Sequence, residues 1–132
     1  SESRFKDELD PKAYSMLRRE VRARIYLLLV EYSSIPLLIG LYLLYLSGYG
    51  LVSRRARGLT LGLLGYRESV ILHTGILPYI VGILAILHAV GGLGLMINRR
   101  VKDPLLRSIL ELANLLIVGV LFFAQLTILA LL

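Results

Sequence analysis

The chain has two histidines, His73 and His88, and both fall in one long apolar stretch, Arg67–Arg100, with charge at each end. On a helix their separation of fifteen positions is ~22 Å along the axis and ~60° around it, so the two rings face broadly the same way. Neutral imidazole is a common ligand for haem iron. Two imidazoles on one side of a membrane helix, at two depths, point to haem ligation at two levels. Such an arrangement would pass electrons across a bilayer. The plain alternative is that each ring hydrogen-bonds a neighbouring helix. Met96 is a further axial donor by type, but one methionine near a membrane face is more often a gap-filler.

The same stretch has a second face. Gly75, Pro78, Gly82, Ala85, Ala89 and Gly92 step by three and four, a spacing at which small residues let another backbone, or a flat ring, approach closely. Pro78 should bend the helix between the histidines. Glu31 lies inside an earlier apolar stretch. A carboxylate at such depth costs on the order of 2.5–3.5 kcal/mol on insertion scales and is normally paired, protonated or wetted. Arg24, about two turns away on nearly the same face, is the simplest partner; proton handling or quinone contact is the functional reading. Pro36 should kink that helix, with Ser33 and Ser34 bonding the freed carbonyls. Glu111, Asn114 and Gln125 share one stripe of a third apolar stretch and read as glue between helices. Ser69 stands four residues before His73, but no carboxylate orienter, oxyanion donor or HExxH motif accompanies it, which disfavours an independent enzyme.

These residues require long apolar helices to hold them. Residues 1–10 mix charges and read as a solvated tail. Asp10-Pro11 is a helix-start signal. From Pro11 to Arg24 the apolar positions Tyr14, Leu17 and Val21 alternate with a basic face of Arg18, Arg19, Arg22 and Arg24, which predicts an amphipathic helix at the membrane surface. Residues 1–24 thus form the polar part of the chain. Its long basic region, with no small-residue cleavage site after a short apolar run, is unlike a removable signal peptide. Residues 25–132 follow as three spans, over about 25–48, 69–98 and 105–132, each long enough for the ~20 residues a bilayer needs. Tyr42, Tyr45 and Tyr49 mark the far interface of the first span. The glycine-rich, basic connection Ser47–Arg67 predicts a short turn on the bilayer and carries no phosphate-binding motif. Asp103-Pro104 starts the last helix. The fold class is an all-α integral membrane protein, three transmembrane helices preceded by an amphipathic N-terminal helix.

Composition agrees with this. Of 132 residues, 57% are hydrophobic and mean hydropathy is +0.75, above an ordinary soluble domain. There is no cysteine, which excludes disulfides, covalent c-type haem and iron–sulfur ligation by this chain. Arg outnumbers Lys twelve to three, and with so few amides this hints at a thermophilic source. The formal charge of +6 is better explained by flanking charges and anionic lipid contact than by nucleic acid. Seven basic residues precede the first span, four lie in the first loop and four near the second. Eleven against four puts the N-terminus in the cytoplasm and the C-terminus outside, in the plasma membrane.

His73 and His88, with fourteen residues between them, resemble the ligand helix of membrane b-type cytochromes, including cytochrome b and cytochrome b561-like proteins. The run LHAVGGLGLMINR is loosely similar to the histidine-containing helix end of succinate dehydrogenase membrane anchors, which also have three spans. The resemblance covers about thirty residues. It implies a haem b-binding anchor or electron-transfer subunit of a multi-subunit membrane complex, with His73 and His88 as iron ligands. The chain departs from the pattern in having two histidines where two bis-histidine haems need four, so other membrane subunits or copies of itself must supply the rest. No quinone-site motif of those anchors is matched. The competing readings are a non-catalytic structural subunit, pilin-like or complex-stabilising, that oligomerises through its helices, and a small transporter subunit with Glu31, Glu111 and the histidines along a polar path.

Overall fold

In the computed structural model, which describes Arg4 and residues 10–132, the Asp10 carboxylate caps the first long helix by accepting from the Lys12 amide at 3.4 Å. Pro11 follows as its first residue, where its missing N–H costs nothing. The tail expected before Asp10 lies outside the described residues apart from Arg4. This helix, α1 (Pro11–Val52), runs unbroken for 42 residues, about 63 Å at 1.5 Å per residue. No glycine or proline falls between Pro11 and Pro36, so the basic segment and the first span are one helix. Pro36 sits inside it.

The Ser53 side chain then accepts from Ala56 N at 3.2 Å and starts a single turn, α2 (Arg54–Arg57). A tight 3-10 turn over Gly58–Thr60 follows. Leu61 (φ 56°) and Gly62 (φ 84°) adopt left-handed backbone and reverse the chain. Arg57 braces the connection: it donates to the Gly50 carbonyl at 3.2 Å and lies over the Tyr66 ring.

The second span differs from the expected single helix over 69–98. It is two helices, α3 (Tyr66–Thr74) and α4 (Leu77–Arg100). Pro78 cannot donate to the Thr74 carbonyl, and its ring opposes a continuing helix. Gly75 releases the chain: a Cβ there would stand 2.5 Å from the Ile71 carbonyl oxygen. The expected bend at Pro78 is thus a joint at Gly75–Ile76, and it lies between the two histidines. The last helix, α5 (Pro104–Leu131), is capped by the Asp103 carboxylate, 3.2 Å from Leu105 N.

α4 is central, with α1 packed antiparallel along α3 and α4 on one side and α5 on the other. Helices α1, α4 and α5 are each long and apolar enough to cross a membrane, and no strand occurs among the described residues. The chain is therefore all-α with three candidate spans. Its interior is the reverse of a soluble core. Among the described residues the buried side chains are Ser33, Ser47, Ser69, Asn98, Glu111 and Asn114, joined by only Tyr26, Val81 and Val90 among apolar residues. No leucine or isoleucine among the described residues is buried, and most are exposed. In lipid there is no gain in hiding a leucine, so contacts form where backbones come close and polar groups find partners.

Candidate functional site

Both histidines turn toward α1, and each meets a serine there. His88 Nδ1 lies 3.1 Å from Ser33 Oγ. Ser33 is also placed to donate to the Leu29 carbonyl at 2.6 Å, an arrangement in which the ring nitrogen donates to Ser33. His73 Nδ1 lies 3.0 Å from the Leu44 carbonyl and 3.2 Å from Ser47 Oγ. A carbonyl only accepts, so this nitrogen also carries a proton. With Nδ1 of each ring engaged by α1, Nε2 is the nitrogen left to face outward as a ligand. That is how a protein presents an imidazole to a metal: one nitrogen is tied to a carbonyl or hydroxyl, and the other is left as ligand.

The room beside the rings is limited. Gly48 lets the His73 ring lie against α1; a Cβ there would be 3.0 Å from the ring Cε1. An open groove of about 280 Å³, lined by His73 with Leu44, Tyr45, Gly48, Tyr49 and Val52, borders that ring. A second, of about 370 Å³, opens beside Ser33 between Leu29, Tyr32, Leu84 and Leu87. Both fall near the lower end of small-molecule pockets. Each level holds one imidazole, and no cluster of three or more His, Asp or Glu side chains occurs among the described residues. A haem at either level therefore needs a wall and a second ligand from another chain. Met96 is exposed near the end of α4.

A polar knot ties the three long helices together near the basic end. Arg19 donates through Nε to the Asn98 carbonyl at 3.1 Å and to its side-chain oxygen at 3.3 Å, and a second guanidinium nitrogen also donates to that carbonyl. Asn98 returns a bond to the Arg19 carbonyl at 3.3 Å and donates to Glu111 at 3.5 Å. Glu111 is paired with Arg22 at 3.5 Å. Two turns deeper, the Tyr26 ring fills the space left by Gly94. Asn114 donates to the Val90 carbonyl at 3.2 Å, and Gln125 to the Tyr79 carbonyl at 3.3 Å. All three polar residues picked out on the last helix thus reach α4.

Other expected placements change. Of the small-residue stripe, Gly82 alone faces a neighbour, with Gln125 Nε2 3.0 Å from where its Cβ would be. Gly75, Pro78, Ala85, Ala89 and Gly92 are exposed. The stripe that packs is offset by two positions: Gly91 and Gly94 are buried against Tyr26, Leu29 and Val30 of α1, while Gly40 of α1 takes Val81 and its Ser33 and Ser47 take the histidines. Ser33 and Ser34 bond the Leu29 and Val30 carbonyls, not the Tyr32 carbonyl that Pro36 leaves without its usual donor. Glu31 is exposed and makes no bond to Arg24. Glu111, by contrast, is buried. Ser69 is buried against Gly50, and its hydroxyl has no hydrogen-bond partner.

Sequence reasoning missed the knot of Arg19, Arg22 and Asn98, reading the two arginines as the basic face of a surface helix and Asn98 as the end of the second span. It also missed Ser33 and Ser47 as histidine partners. A signal was present: Tyr26, Ser33, Gly40 and Ser47 recur every seven residues, and all four are buried. A scan against protein-family models finds no match, and searches of curated proteins and of solved structures return none.

Proposed function

We propose that this chain is a haem b-binding, electron-transfer subunit of a multi-subunit complex in the plasma membrane, with its N-terminus cytoplasmic and its C-terminus outside. The observation that supports it best is the shared anchoring of the two imidazoles, each held to α1 through Nδ1, which leaves Nε2 available as a ligand. His73 and His88 would hold iron through Nε2. Ser33, Ser47 and the Leu44 carbonyl would fix the ring planes. Haem, when bound, supplies one-electron redox chemistry. The second axial donors come from another subunit or a second copy. The orientation rests on the eleven-to-four distribution of basic residues.

The test is a reduced-minus-oxidised absorption spectrum of the protein purified in its native assembly. The expected result is a b-type signal that His73→Ala and His88→Ala each diminish. An assembly of full subunit content without that signal overturns the reading. The second reading is a non-catalytic structural subunit. It is favoured by the same serine–histidine bonds, which join α1 to α3 and α4 whether or not a metal follows.

A further inference from the structure

Glu31 and Tyr32 stand out among the groups left without a use. Glu31 is exposed and makes no hydrogen bond or ion pair within the described residues, and Tyr32 beside it is 78% exposed. Their depth is fixed by the neighbouring Ser33–His88 bond. Glu31 lies about 10 Å inward from Arg24, and His88 about 18 Å inward from Arg100, at 1.5 Å per residue. A carboxyl group there does not face hydrocarbon alone; intramembrane ionisable groups face other protein or water. Pro36 adds a third polar group, because it lacks the N–H that would close onto the Tyr32 carbonyl.

The exposed face around them is patterned. Leu28, Tyr32, Ile35, Ile39 and Tyr42 step by four, three, four and three, Tyr49 follows seven later, and all are exposed. That is a heptad seam, the spacing by which two helices pack side by side with knobs in holes. Glu31 flanks the Tyr32 layer of the seam. A two-fold axis normal to the membrane brings equal depths of two copies together. It sets the carboxyl of one copy beside the phenol of the other, acceptor against donor.

We propose that two copies of this chain pair in the same orientation through this face of α1, with Glu31 of each copy hydrogen-bonded to Tyr32 of the other. The pairing goes beyond the haem reading and stands with or without a cofactor. The chain has no cysteine, so Ile39→Cys can be oxidised in membranes with copper phenanthroline as a single probe. The expected product is a covalent dimer, formed much faster than with Ile117→Cys on the exposed face of α5. Glu31→Leu and Tyr32→Phe should each weaken cross-linking about threefold to tenfold, the usual range for a membrane hydrogen bond, while Glu31→Gln restores it. Linking no better than Ile117→Cys, linking to a protein of different mass, or insensitivity to both substitutions overturns the proposal. Haem spectra of the same samples separate the two readings. In the Ile39→Cys protein carrying no other substitution, haem without dimer sinks the pairing alone, and dimer without haem sinks the haem alone.

Discussion

Where α1 meets α4, backbones come close because Gly40, Gly91 and Gly94 leave room for Val81, Leu29 and Tyr26. Where α4 meets α5, the approach is looser, and the contact depends on Glu111, Asn114 and Gln125 reaching across. The first interface adds close backbone approach to its polar bonds, Arg19–Asn98 and Ser33–His88, and the second rests on length of side chain. The difference separates two ways of holding helices together without a hydrophobic drive. Close packing sums many small dispersion terms and is sensitive to volume. Polar bridging puts the energy in a few bonds and is sensitive to chemistry.

The comparison breaks most visibly through volume. Gly91→Leu should separate α1 from α4, because even a Cβ would meet the Tyr26 carbonyl at 2.8 Å and Leu29 at 2.9 Å; a loss of about 3 kcal/mol or more is expected from such overpacking. Gly92→Leu, one residue along and facing open space, should leave stability within ~0.5 kcal/mol. Unfolding in mixed micelles by increasing SDS measures both, and equal effects would show that α1–α4 packing is not volume-limited.

Chemistry comes next in size. Glu111→Ala removes the Arg22 pair and the Asn98 bond together and should cost roughly 2–3 kcal/mol. The figure is held down because the Arg22 side chain is 39% exposed. Glu111→Gln keeps the Asn98 contact and should recover part of that loss in the same assay. Ser33→Ala releases the His88 ring at a cost of about 1 kcal/mol, and Asn114→Leu about 0.6 kcal/mol, within the range for single hydrogen bonds in membranes. If Asn114→Leu costs more than Gly91→Leu, the roles assigned to the two interfaces are reversed.

Three spans and an all-helical fold were legible in the sequence because lipid imposes lengths and caps that single residues announce: Asp10-Pro11, Asp103-Pro104 and the apolar runs between. The reach of Glu111, Asn114 and Gln125 was legible because polar residues on an apolar helix need partners. The packing stripe of α4 was not. Gly91 and Gly94 lie beside the longer Gly75–Gly92 series, and only the rotation of α4 against α1 decides which of them packs. That rotation is set by Tyr26 on Gly94 and by Arg19 on Asn98, contacts between residues roughly 70–80 positions apart. The joint at Gly75 was half legible: Pro78 announced a disturbance, but the full break depended on the backbone at Gly75.

That joint has a consequence for how the chain tolerates change in length. Ser33 and Ser47 are fourteen residues apart, and their histidines fifteen. Between two unbroken antiparallel helices the odd residue would swing one ring about 100° from its serine. The non-helical step at Gly75–Ile76 absorbs it, as an expansion slot does in a rail. Insertions and deletions in the second span are accommodated at this slot while both rungs stay aligned; elsewhere between the histidines they throw one rung out of line.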